Sequence, residues 1–140
     1  MAVEVEVSGP GGLPAAEVER LVRTTVRAED GAAERISVSF VGPDAIRQLN
    51  ATHRDINRPT DVLSYPFDAS FPHGAGGEVV ICPEVVRRYA DRDGRGLEDR
   101  LQETVIHGVL HLLGHEDGTD AGAGAMAERT ARIMMETSDG

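Results

Sequence analysis

Lysine is absent from this 140-residue chain: all 14 basic residues are arginine, set against 24 acidic ones for a formal net charge of −10. A protein this acidic does not coat nucleic acid non-specifically, because affinity for a phosphate backbone comes from cationic side chains. Any contact with RNA or DNA has to be local, at an arginine cluster or a metal ion. The exclusive use of arginine is read as genomic base composition. Cysteine is nearly absent too. Cys82 alone cannot form an intramolecular disulfide, which suits a reducing cytoplasm, and it reads as a small buried residue at a strand end. Aromatic rings are scarce, only Phe40, Phe67, Phe71, Tyr65 and Tyr89. So few rings do not support sequence-specific single-strand recognition by this chain alone. No apolar run approaches the ~20 residues of a membrane span. Glu4 and Glu6 interrupt the N-terminal apolar residues, and no basic start precedes them, unlike a signal peptide. A cytoplasmic protein with no membrane partner is expected.

What is present is an ordinary globular balance, 40% hydrophobic and 27% charged. The length suits a single domain over residues 1–140, with no internal repeat or linker. Val3, Val5 and Val7 alternate with Glu4 and Glu6 as in a half-buried strand. Val18, Leu21, Val22 and Val26 then fall at helical spacing. Ile36, Val38 and Phe40 alternate as a second strand, and Gly42-Pro43 opens a short helix through Ile46 and Leu49. Asn50 to Asp61 reads as a loop feeding a short strand, Val62 to Tyr65. Asp68 to Gly77 is rich in Gly and Pro and reads as a loop. Glu78 to Cys82 reads as a strand, followed by helices from Pro83, from Leu97 and from about Gly124. The order β-α-β-α-β-β-α-α-α predicts an α+β fold: a small mixed sheet of about four strands, the last two a hairpin, packed with about five helices.

Chemistry concentrates between His107 and Asp117. His107 and His111 are four apart on a predicted helix, so their side chains stack on one face, one turn apart, and two such imidazoles can bind one metal ion. The rest of the helix is apolar, with Leu101, Val105, Ile106, Val109, Leu110, Leu112 and Leu113. Histidines buried there need partners, and a metal satisfies both. Gly114 lets the chain leave the helix and fold back, so a third ligand can come from His115, Glu116 or Asp117. The H-x-x-x-H-x-x-G-x-x-D spacing is that of the metzincin proteases. Those have a glutamate base directly after the first histidine, where this chain has Gly108, which disfavours that peptidase mechanism. Glu103, one turn before His107, is a candidate partner or base, although a solvated or capping carboxylate is the commoner role.

Three segments carry a family resemblance. His107-Gly-Val-Leu-His111-Leu-Leu-Gly114-His115-Glu116-Asp117 resembles the H-G-x-L-H-L-x-G-x-D-H metal motif of the YbeY endoribonucleases, which act as ribosomal RNA maturation factors. Asn50-Ala-Thr-His-Arg54-Asp-Ile-Asn-Arg58-Pro-Thr60-Asp61-Val-Leu-Ser-Tyr65-Pro66 is similar to that family's N-x-x-x-R-x-x-D-x-P-T-D-V-L-S-F-P block. Gly77-Glu-Val-Val-Ile-Cys82-Pro-Glu84 is similar to its G-D-I-x-I-C/S-x-E segment. All three occur in the family's order and spacing across nearly the whole chain. The resemblance implies a mixed sheet with several helices, one zinc ion per chain, and single-strand-specific RNA cleavage in ribosomal RNA maturation and ribosome quality control. It implies ribosomal RNA and the small ribosomal subunit as partners, with ribosome-associated proteins as further ones.

The chain departs from the family where its third histidine aligns with Asp117. Aspartate is a normal zinc ligand, so His107, His111 and Asp117 are the favoured set, with His115 the alternative third ligand. Arg54 matches the family's arginine and is the candidate catalytic residue. It can neutralise charge building on phosphorus and bind phosphate bidentately. By itself an isolated arginine suggests a surface ion pair, here with Asp55 or Asp61. Thr60 and Asp61 are expected to fix the loop that positions Arg54. Arg87, Arg88, Arg92, Arg95 and Arg100 alternate with acidic residues, as on a solvated helix face. His53 and His73 are expected in or beside loops, exposed. Three other functions fit parts of the pattern. A metallopeptidase would need a base to replace the one missing at Gly108. A ribosome-assembly binding protein would have a structural or absent metal. A non-haem iron oxygenase shares the two-histidine, one-carboxylate set but not the predicted fold.

Overall fold

The computed structural model describes residues 3–67 and 75–139, so His73, Phe71 and the expected loop over 68–74 lie outside the described residues. In chain order the elements are β1 (Glu4–Ser8), α1 (Ala15–Ala28), β2 (Arg35–Phe40), α2 (Pro43–Arg54), β3 (Val62–Pro66), β4 (Gly76–Ile81), α3 (Pro83–Asp93), α4 (Leu97–Leu112) and α5 (Asp120–Asp139). The strands form one sheet in the order β1-β2-β4-β3. β1 pairs parallel with β2 and β2 parallel with β4, while β3 runs antiparallel to β4 at the edge. This is the expected mixed α+β architecture, with the hairpin between the third and fourth strands.

Strand alternation decides which face each side chain serves. Val3, Ile36, Val38, Phe40, Val79 and Ile81 turn to one face and build the main core with α1 and α4. The opposite face is divided. Over β3 and β4, Leu63 and Val80 pack with Ile46 of α2 and with Cys82 and Val85 in a second, smaller cluster. Over β1 and β2 that face is polar, with Ser8 bonded to Ser39 at 3.1 Å and Glu6 paired with Arg35.

α4 is the centre of the molecule, touching α1, α3, α5, β3 and β4. Its Leu101, Val105, Ile106, Val109 and Leu110 are 3% exposed or less, and each such side chain contributes roughly 1.5–3 kcal/mol through burial. The helix lies so close to the sheet that a Cβ on Gly108 would come within 2.5 Å of Val79 Cγ1. The Ser64 hydroxyl donates to the Gly108 carbonyl at 2.9 Å, fastening helix to strand.

Three boundaries differ most from the sequence reading, one of them the last helix, which starts at Asp120 rather than about Gly124. The segment expected as a loop from Asn50 is helical through Arg54, and α2 ends at Asp55 with φ 57°. The Asn50 side chain is 2% exposed and its amide donates to the Arg58 carbonyl at 2.9 Å. A bond into the loop beyond the helix thus holds a helical end that Asn and Thr do not favour by themselves. β4 starts at Gly76, taking in two glycines assigned to the preceding loop, because β2 pairs with them along Arg35 and Ile36.

Candidate metal centre

α4 delivers His107 and His111 on one face, and the turn that follows delivers the third group. Gly114 has φ +99°, its N–H bonds the His111 carbonyl, and the His115 N–H bonds the Leu110 carbonyl, both at 3.1 Å. This is a Schellman closure, in which two late backbone bonds end the helix around a glycine. The loop is held from its far side as well. Thr119 caps α5 through the Gly122 N–H at 3.0 Å, and a Cβ on Gly122 would meet the Glu116 carbonyl at 2.5 Å.

The result is a triangle of donor atoms. His107 Nε2 and His111 Nε2 are 3.0 Å apart, and Asp117 Oδ2 lies 3.3 Å from the first and 3.5 Å from the second. Such a group can hold a metal ion. The imidazoles are half-buried and the carboxylate is exposed, so the triangle opens towards solvent. Burial is the main cause that lowers the His107 pKa from 6.5, aided by the neighbouring His111; Asp117 and Asp61 oppose it. A neutral imidazole at neutral pH is the form that ligates metals.

His115 points elsewhere. Its Nε2 is 2.6 Å from Glu29 Oε1, and Glu29, only 10% exposed, is also paired with Arg129 at 2.8 Å. Glu116 lines the cleft but is not among the converging donors. Glu103 accepts two bonds from Arg95, at 2.7 and 2.5 Å, which occupies the carboxylate that the sequence offered as a base. Gly108 faces the sheet, so the position of the protease glutamate has no room for any side chain.

Two clefts meet at the triangle. The larger, about 720 Å³, is lined by His107, His111 and Asp117 together with His53, Arg54 and Tyr65. Arg54, the last residue of α2, is exposed there and makes no ion pair with Asp55 or Asp61 among the described residues. The smaller, about 390 Å³, shares His107, Asp117 and Asp61 and runs between α4 and α5 past Glu103 and Met126. Asp61 accepts from the Val62 N–H at 2.9 Å and from Thr60 at 3.2 Å, which ties the loop to the start of β3. Sequence reasoning gave Asp61 this loop role but not its place at the junction of both clefts. Arg92 and Arg100 pair with Asp93, and Arg95 with Glu103, as on an ion-paired solvated face.

A family model described as Endoribonuclease YbeY matches residues 12–138. Among curated proteins, an Endoribonuclease YbeY of Rhodopseudomonas palustris (strain BisB5) is 37% identical over 80% of this chain and 62% of its own length. One from Bartonella bacilliformis is 33% identical over 86% of this chain and 75% of its own length. A second, from Rhodopseudomonas palustris (strain HaA2), is 36% identical over 78% of this chain and 60% of its own length, so the chain spans less than two thirds of either Rhodopseudomonas palustris relative. A Thermotoga maritima protein solved in solution shares the fold with a TM-score of 0.65 and 31% identity, covering 95% of this chain and 88% of its own. A match that runs through all three motifs and through the helix, turn and carboxylate of the metal centre leads to one assignment: the chain belongs to the YbeY family.

Proposed function

We propose that this protein is a zinc-dependent single-strand endoribonuclease acting in ribosomal RNA maturation and ribosome quality control in the cytoplasm, with ribosomal RNA and the small subunit as partners. The observation that carries the reading is the His107–His111–Asp117 triangle opening into a cleft that holds Arg54. Zinc bound at 2.0–2.1 Å in a tetrahedron has ligand–ligand edges of about 3.3–3.4 Å. The observed edges of 3.0, 3.3 and 3.5 Å bracket that value. Three protein ligands and an open side are the donor set of a catalytic rather than a structural zinc.

When bound, zinc supplies Lewis acidity to the phosphodiester and to an attacking water. The chain's own residues do the rest. His107 and His111, one turn apart on the largely buried α4, keep their nitrogens aimed at one point. Asp117 adds a negative charge that partly offsets the ion's. Arg54 contributes a planar guanidinium able to grip two phosphate oxygens as charge builds on them. Among the described residues no helix is long and apolar enough to cross a membrane.

The test is metal content per chain by elemental analysis, with RNA cleavage measured in parallel. About one zinc per wild-type chain, lost in Asp117→Ala, is expected. Arg54→Ala should keep its zinc and lose roughly 10²–10³ in kcat on single-stranded RNA, the usual cost of removing one group that stabilises transition-state charge. Precursor small-subunit RNA trimmed by the wild type but not by His111→Ala would place the activity in maturation. A wild type that takes up no zinc, or takes it up and cleaves no RNA, would refute the hydrolase and leave a binding role in ribosome assembly.

A further inference from the structure

Arg54 shares the larger cleft with two aromatic side chains. His53 precedes it in the last turn of α2, and Tyr65 comes from β3. The two rings sit with centroids 4.7 Å apart, tilted by 49°. Their surroundings differ. Tyr65 is packed against the small cluster of Ile46, Leu63, Val80, Cys82 and Val85, and its hydroxyl is buried with no hydrogen-bond partner among the described residues. Packing alone therefore fixes that ring. His53 is exposed and, among the described residues, forms no hydrogen bond or ion pair. It leans on Tyr65 and leaves its outer side open to the cleft.

A guanidinium beside an open ring suits the two halves of a nucleotide, phosphate on the cation and base on the ring. The smaller cleft differs: it holds the carboxylates of Asp61, Glu103 and Asp117, its guanidinium, Arg100, is paired with Asp93 and Glu103, and its one ring is His107 of the candidate metal centre. We propose that His53, backed by Tyr65, is a stacking platform for one nucleobase of a single-stranded RNA, next to the phosphate engaged by Arg54. The proposal rests on the RNA-cleaving reading above and deepens it. A base within a duplex is already paired and stacked, so it cannot reach the platform, and the platform selects unpaired strands. Because every base has a π-face, it does so with little regard to sequence.

The absence of tryptophan makes this directly measurable. His53→Trp places the chain's one indole on the platform. Its emission is titrated, in the zinc-loaded protein, with a phosphorothioate oligoribonucleotide that resists cleavage, with the same strand in a duplex, and with an abasic oligomer of equal length. Saturable quenching by the single strand alone is expected. In anisotropy titrations of the labelled single strand, His53→Ala should bind about 5- to 100-fold more weakly. His53→Phe should restore binding, and zinc content should not change. The platform falls if the single strand binds the Trp variant without quenching, or if His53→Ala weakens base-bearing and abasic oligomers equally. If wild type binds the single strand no better than buffer alone, the RNA-cleaving reading falls, and the platform with it.

Discussion

At the scale of single residues, Gly108 and His107 carry opposite demands. Gly108 must stay small: Val79 Cγ1 stands 2.5 Å from where its Cβ would be, and Ser64 and Val62 close in at 3.3 Å. Gly108→Ala should therefore cost roughly 1–3 kcal/mol through overpacking, against the usual gain from alanine in a helix. A chemical denaturation midpoint that did not fall would contradict this packing. His107 must stay neutral. Its folded pKa lies below the ordinary 6.5, so protons prefer the unfolded chain. Stability of the metal-free protein is then fully present above about 6.5 and is lost as pH falls towards the depressed value. Denaturation curves at about pH 7.5 and about pH 5.5 should show a larger loss for wild type than for His107→Gln, and equal losses would contradict the shift. The histidine pair was legible in the sequence because helical spacing is a local property. The partner of His115 was not, since Glu29 lies 86 positions away.

At the scale of elements, the turn after α4 decides which residue joins the histidines. The Schellman closure at Gly114 reverses the chain, and the Glu29–His115–Arg129 cluster pins the first residue of the return to α1 and α5. Asp117 is then presented to the imidazoles two residues later. His115→Ala should accordingly keep close to one zinc per chain while lowering stability by roughly 1–3 kcal/mol, because Glu29 loses a charge-assisted bond in a nearly buried place. Loss of the metal in that variant with the fold intact would move the third ligand to His115. Gly114 announced the turn in the sequence. The helical end of α2 was not announced: Asn50, Thr52 and His53 are weak helix formers, and the bond that secures them runs from Asn50 to Arg58 in the loop beyond the helix, outside any helical repeat. The hairpin between β3 and β4 followed from adjacency, but the insertion of β4 between β2 and β3 had no local signal.

At the scale of the whole molecule, charge sets the terms on which a polyanion is met. With a net charge of −10, the molecule as a whole repels a polyanion, so in the proposed function binding depends on local cations, Arg54 beside the candidate metal centre above all. Affinity for single-stranded RNA should fall less than about tenfold between ~50 and ~200 mM salt, rather than the roughly 10³–10⁵ of proteins that neutralise many phosphates. A steep log–log slope in binding titrations would contradict this and mean that many phosphates are neutralised. The close seating of α4 on the sheet also bears on what this scaffold can evolve into. Glutamate in place of Gly108 would give the protease H-E-x-x-H-x-x-G run, with Asp117 where that motif has its last histidine. The new side chain would start inside Val79, so selection would have to lift the helix away from the strands, displacing His107 and His111 of the candidate metal centre, before the added carboxylate could act. The neighbouring chemistry is one residue distant in the sequence and a rebuilt core distant in the protein.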